Sequence, residues 1–166
     1  MNQEKDMVYG AASGGITDPN SDNAERHAEL FYEEIRHRST DVKCIAERTG
    51  FTYEQILIVK NYLFVDCHIL SIMEPPRRFD ACFEIAESWR RLSDKNSKIE
   101  PHDLLLINHE LKEIALMAQG LSQSDAHNMT EKIYNYTEAA MEYYGELRKK
   151  EKISGAITSR LGSNTH

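Results

Sequence analysis

The residues best suited to acid–base or metal chemistry lie between Pro101 and Gln119: His102, His109, Glu110 and Glu113. At 100° per residue, a helix here places His102, His109 and Glu113 within about 40° of one another around its axis. His109 and Glu113 stand at i and i+4, a spacing that lets two side chains ligate one ion. The string His109-Glu110-Leu111-Lys112-Glu113 departs from the HExxH zinc signature, because Glu113 stands where the second histidine belongs. A third ligand must come from elsewhere, and His68 and His127 are the candidates. Glu110 or Glu113 can serve as general base, and His109 as acid, base or ligand. With the third ligand missing from the motif, the simpler reading of the stripe is solvated or hydrogen-bonded polar residues without chemistry. Leu104, Ile107, Leu111, Ile114, Ala115 and Ala118 form the opposite side, which is expected to face the core. The residue types leave any cofactor unknown.

A second group is basic. Arg77, Arg78 and Asp80 precede a helix that carries Glu87, Trp89, Arg90 and Arg91. Its arginines can build a substrate or anion site, since guanidinium forks match carboxylates and phosphates. The alternative is a surface ion pair between Glu87 and Arg91 at i and i+4, worth a few tenths of a kcal/mol.

These groups need helices to position them, and the start and stop signals predict about six. Ser21 or Asp22 caps the first, with Ala24, Ala28, Phe31, Tyr32 and Ile35 on one stripe. Thr40 opens a short second helix that Gly50 closes in the left-handed conformation. Thr52 and Gln55 form a capping box for a third, with Ile56, Val59, Leu63 and Phe64 inward. Residues 67–79 read as irregular, since Pro75-Pro76 cannot continue a helix. Asp80 is expected to cap the fourth helix, with Cys82, Ile85, Ala86, Trp89 and Leu92 on it. Pro101 starts the fifth and Gly120 stops it. From Ser122 the pattern reads as one long last helix. Ala126, Met129, Ile133, Tyr136, Ala140, Tyr143 and Leu147 form a heptad stripe along it. That face packs within the domain or forms a homodimer seam through 126–147.

The expected fold is an all-α, compact multi-helix bundle with a long C-terminal helix. A Gly- and Ser-rich leader (1–21), a helical domain (22–153) and a tail (154–166) divide the 166 residues. A net charge of −7 repels phosphate backbones and anionic lipids, so neither membrane nor nucleic acid is an expected partner. The helix-turn-helix spacing of Thr40 to Phe64, with Gln55, Lys60 and Asn61 outward, therefore reads as a core hairpin rather than a DNA reader. No apolar run approaches the roughly 20 residues of a membrane span. The three cysteines, Cys44, Cys67 and Cys82, show no zinc spacing and read as reduced thiols, buried at Cys44 and Cys82, in a cytoplasmic setting.

Several strings in order resemble a known domain type: HAELFYEEIRHRSTDVKCIAERTGF, RRFDACFEIAESWRRL, IEPHDLLLINHELKEIALMAQGLSQSDAH and KIYNY. Together they resemble the helical C-terminal domain of bacterial polymorphic toxins and of phage minor head (head-morphogenesis) proteins, over roughly residues 22 to 148. The resemblance implies a delivered or packaged effector domain joined to a carrier by a linker and acting in a bacterial cytoplasm. Its reaction is not implied. The residues it marks are Arg78, Phe79, Asp80, Glu87, Ser88, Trp89, Arg90, His102, Asp103, His109, Glu110, Glu113 and His127. The departure is at Cys82 and Phe83, where a more acidic or Pro-bearing stretch is expected. The competing expectation is a non-enzymatic module that binds a protein partner, or neutralises a basic toxin, through the last helix or the acidic surface.

Overall fold

A computed structural model describes residues 16–162. Among them are seven α-helices and one π turn. Helix α1 spans Asp22–His37, α2 Asp41–Thr49 and α3 Tyr53–Lys60, which runs on into a π turn at Asn61–Val65; α4 is Phe83–Ser93, α5 Pro101–Ala118, α6 Gln123–Glu131 and α7 Tyr136–Gly162. The only β pairing among the described residues is an isolated bridge between His68 and Arg77. The chain is an all-α bundle with a long C-terminal helix, one helix more than expected.

The caps explain most boundaries. Ser21 Oγ accepts the Ala24 N–H at 3.2 Å. Thr52 and Gln55 exchange both capping-box bonds at 3.1 and 2.9 Å. Gly50 closes α2 at φ 83°. Two expected boundaries move. The fourth helix starts at Phe83 with Cys82 as its cap and no side-chain bond from Asp80. The expected last helix breaks at residues 132–135, because Asn135 Oδ1 takes the Glu138 N–H at 3.1 Å and restarts the helix. The heptad stripe is thus divided between α6 and α7. Ala126, Tyr136 and Ala140 are buried while Met129 and Ile133 are exposed. Residues 154–162, read as tail, continue α7, and the side chains of 154–161 are exposed. Of the expected leader, residues 1–15 lie outside the described residues. Ile16 packs on the core, and Thr17 Oγ1 donates to Glu151 on α7 at 2.6 Å.

The main core gathers Phe31, Tyr32 and Ile35 of α1, Ile45 of α2, Ile56 and Val59 of α3, Phe64, Trp89 and Leu92 of α4, Ile107 of α5 and Tyr144 of α7. At its centre Trp89 meets Phe64 edge-on at 5.1 Å. Trp89 Nε1 donates to Asp41 Oδ2 at 3.0 Å. The other oxygen of that buried carboxylate accepts Lys60 Nζ at 2.9 Å and the Val42 N–H at 2.9 Å. Lys60 is therefore turned inward and Gln55 is used in a cap, so two of the three outward reading residues considered for the α2–α3 hairpin serve the fold.

Asp41 ties α2, α3 and α4 together through charge-assisted bonds. Asp41→Ala leaves the Lys60 ammonium buried with one carbonyl partner and should cost about 3–5 kcal/mol. Thermal melting measured by circular dichroism checks this, and a loss under about 1 kcal/mol would show the pair to be dispensable.

Candidate metal and acid–base centre

Helix α5 buries the polar face that the pattern placed opposite its expected core side. His102, Asp103, His109, Glu110 and Glu113 are all buried, whereas Leu104, Ala115 and Ala118 are exposed. Only Ile107 of the expected core side is fully enclosed. A buried carboxylate or imidazole needs a partner, and three features of the backbone bring neighbours to this face.

The first is the reversal after α5. Gly120, at φ 104°, lets the Leu121 N–H reach the Leu116 carbonyl at 3.3 Å and its own N–H reach Met117 at 3.0 Å. This 6→1 and 5→2 pair turns the chain back sharply. Helix α6 then lies along α5 with Gln123, His127 and Glu131, at steps of four, on the facing side. The second is the break between α6 and α7. It frees the Tyr134 carbonyl, which accepts from His109 Nδ1 at 2.9 Å. The third is the π turn, which buries Tyr62; its hydroxyl donates to Met117 Sδ at 3.3 Å.

The result is a cluster of His109, Glu113 and His127 whose ligand atoms lie within 4.8 Å of one another. His109 Nε2 is 3.3 Å from His127 Nδ1, and His127 Nδ1 is 3.2 Å from Glu113 Oε1. Four-coordinate zinc with bonds of about 2.0–2.1 Å has ligand atoms roughly 3.3 Å apart, so these separations fit. The tautomer fits as well. With the Nδ1 proton given to Tyr134, His109 offers the lone pair of Nε2 to the cluster. Gln123 Nε2 donates to Glu113 Oε1 at 3.1 Å, and Glu131 stands behind both imidazoles at 3.7 and 3.8 Å. His127 is the half-open member, its side chain 42% exposed.

Glu110 lies beside this cluster and is buried. Burial first, and then the neighbouring Glu113, hold its carboxyl well above the ordinary glutamate range. Burial and Glu113 push the Tyr62 phenol up in the same way. Two clefts of about 230 Å³ each open onto the centre. One is lined by Tyr32, Leu70, Phe79, Asp80 and Gln123 along with Glu110, Glu113 and His127. The other adds Cys82, Ile85, Glu131 and Met141. Burial, and then Glu84, raise the Cys82 thiol to about 12, which keeps it protonated and unreactive.

The remaining candidates fall elsewhere. His68 Nε2 donates to the Tyr62 carbonyl at 2.7 Å and its ring stacks on Phe79 at 4.4 Å, so His127 is the third member of the cluster. His102 belongs to a separate buried network, in which Arg91 Nη2 reaches its Nε2 at 3.0 Å and Arg91 also grips Asp103 at 2.9 Å. The arginines do not converge on one anion site. Arg77 pairs with Asp80 and Glu74, Arg78 donates to the Val65 carbonyl, and Arg90 pairs with Glu87. The expected surface pair of Glu87 with Arg91 is absent among the ion pairs of the described residues. Glu87 is buried against His27 at 2.7 Å. Trp89 is core, and Asp80 alone of that group reaches a cleft. Of the thiols, Cys67 is exposed and Cys44 and Cys82 are only partly buried. Gln123, Glu131 and Tyr62 carried no expectation, although the four-residue steps from Gln123 through His127 to Glu131 mark a polar face.

No family model matches the chain, and neither a curated protein nor a solved structure matches it. The resemblance to toxin and head-morphogenesis domains therefore stands on the quoted strings. No described helix is long and apolar enough to cross a membrane.

Titration with zinc, followed by calorimetry, should give one ion per chain. His109→Ala and His127→Ala should each weaken it by more than the roughly 10–100-fold expected for an outer partner such as Gln123. Wild-type affinity in both variants would place the ion elsewhere. His102 gives a separate pH signature. Burial lowers its pKa against the opposing pull of Asp103. The unfolded chain then takes up a proton that the folded chain refuses. The contribution of neutral His102 is present above the unfolded value of about 6.5 and is lost as pH falls through the folded one. His102→Gln should flatten the melting temperature across this acidic window while leaving zinc affinity unchanged.

Proposed function

We propose that this chain is a metal-dependent hydrolytic effector domain, with a divalent ion held by His109, Glu113 and His127 and Glu110 as general base. One observation carries this reading. The other buried charges of the bundle have opposite charges beside them: Asp41 has Lys60, Asp103 has Arg91 and Glu87 has Arg90. Glu110 and Glu113 are buried one turn apart, and among the described residues their ion-pair partners include His127 on Glu113 but no lysine or arginine. One carboxylate and two imidazoles with converging ligand atoms, and a second buried carboxylate one turn away, call for a cation.

The donor set is one that borderline metals such as zinc accept, with three protein ligands leaving one position open. When bound, the ion lowers the pKa of a water and polarises a carbonyl. The protein's own groups do the rest. Tyr134 fixes the tautomer of His109, and Gln123 orients Glu113. Glu110 takes the proton of the water as its oxygen adds to the scissile carbonyl carbon. The carbon–nitrogen bond then breaks, and Glu110 returns the proton to the leaving nitrogen. The effector setting, inside a bacterial cell and after delivery or packaging, rests on the resemblance of the sequence strings.

Glu110→Gln keeps the shape and the metal ligands but removes the base. It should retain stoichiometric zinc and lose about 10²–10⁴-fold in the rate of hydrolysis of an unfolded protein substrate. Induced expression in a bacterial host should arrest growth for the wild type and not for this variant at matched protein levels. Wild-type activity in the zinc-loaded variant would sink the assignment of Glu110.

A further inference from the structure

The two clefts at the centre do not end there. A third depression of about 670 Å³ continues along the α6–α7 junction and is lined by His127, Glu131, Asn135, Thr137, Glu138, Met141 and Glu142. His127 lines all three, and Glu131, Thr137 and Met141 are shared between the second and third. They form one groove that passes the His109, Glu113 and His127 cluster. Its charge is one-sided. Asp80 stands at one end, Glu84 and Glu131 near the middle, and Glu138 and Glu142 at the other end. Among the described residues no lysine or arginine lines it. Arg77 neutralises Asp80 at 2.9 Å, so the excess negative charge lies on the side of Glu131, Glu138 and Glu142. A bound divalent ion offsets the inner pair, Glu110 and Glu113, and leaves the outer carboxylates unbalanced.

We infer that this groove takes a lysine- or arginine-rich peptide segment as the substrate of the proposed hydrolase. The inference rests on that reading for its chemistry and on the groove for its selectivity. Long basic side chains suit the lining on two counts. Their ammonium or guanidinium ends meet Glu138 and Glu142, and their apolar stems lie along Ile85 and Met141. Asn135 Nδ2 donates to Glu138 at 2.6 Å and Thr137 Oγ1 to Glu131 at 2.9 Å, so both carboxylates are held in place in the groove lining. A phosphodiester chain would bring one negative charge per nucleotide against the same carboxylates, which raises its energy at every contact.

The test uses the full chain carrying Glu110→Gln, both zinc-loaded and metal-free. Fluorescence anisotropy compares three labelled probes: a lysine- and arginine-rich peptide, a glutamate-rich peptide of equal length, and a single-stranded oligonucleotide. The basic peptide should bind at least about 10-fold more tightly than either and should weaken as salt rises. Adding Glu138→Gln with Glu142→Lys should abolish that preference without changing zinc content or melting temperature. Equal or tighter binding of the acidic peptide or the oligonucleotide overturns the inference, as does a preference that survives the charge change. Failure to bind zinc would instead count against the metal reading, because the groove preference is still read in the metal-free protein.

Discussion

Burying two glutamates and two histidines on one helix constrains everything around α5. Each polar group taken out of water must regain its bonds inside. Helix α6 has only two buried residues, Ala126 and Thr130, so apolar packing is a small part of what holds it. Its place is set by what it delivers, Gln123 and His127 to Glu113. The turn at Gly120 makes that delivery possible in four residues. The interruption before α7 turns a carbonyl that a continuous helix would have used internally toward His109. The π turn after α3 sets Tyr62 against the same helix, in keeping with the frequent use of such turns at functional sites.

The bundle handles its other buried charges differently. Asp41, Asp103 and Glu87 each have a cation from the protein itself, held in fixed geometry. Such pairs are costly to break and specify one arrangement of helices. They lock α2, α3, α4 and α5 into a frame. Against that frame the centre at Glu110 and Glu113 stands out by the sign of its charge rather than by its burial. Both groups are buried on α5, and the proximity of Glu113 adds to burial in holding the Glu110 carboxyl above the ordinary glutamate range.

Much of this was legible in the residues. Caps at Ser21, Thr52, Gly50, Pro101 and Gly120 are local chemistry, and they set the helix ends. The grouping of His109, Glu110 and Glu113 follows from helical spacing alone. Which side of α5 faces inward was not legible, because leucines and isoleucines surround the helix and the pattern has no dominant apolar side. Choosing between His68 and His127 required knowing that α6 folds back on α5, a contact between distant residues. Similarly, Arg90 and Arg91 sit next to each other in sequence yet face Glu87 and Asp103 on different sides. The break before α7 had a local sign, Asn135 three residues before Glu138, that was outweighed by the unbroken heptad pattern on either side.

The modest burial of α6 has a consequence for how the centre is assembled in time. A nine-residue helix with two enclosed side chains is a poor cooperative unit, and it sits at the low end of local opening free energies. His127 rides on it, while His109 and Glu113 ride on the rigid α5. On the proposed metal reading, two ligands stand on α5 and the third is carried by this small segment. Capture and loss of an ion would then share one step, the docking of α6. The amide hydrogens of α6 would exchange with solvent at a rate that follows occupancy of the centre, which would make the helix a built-in reporter of it.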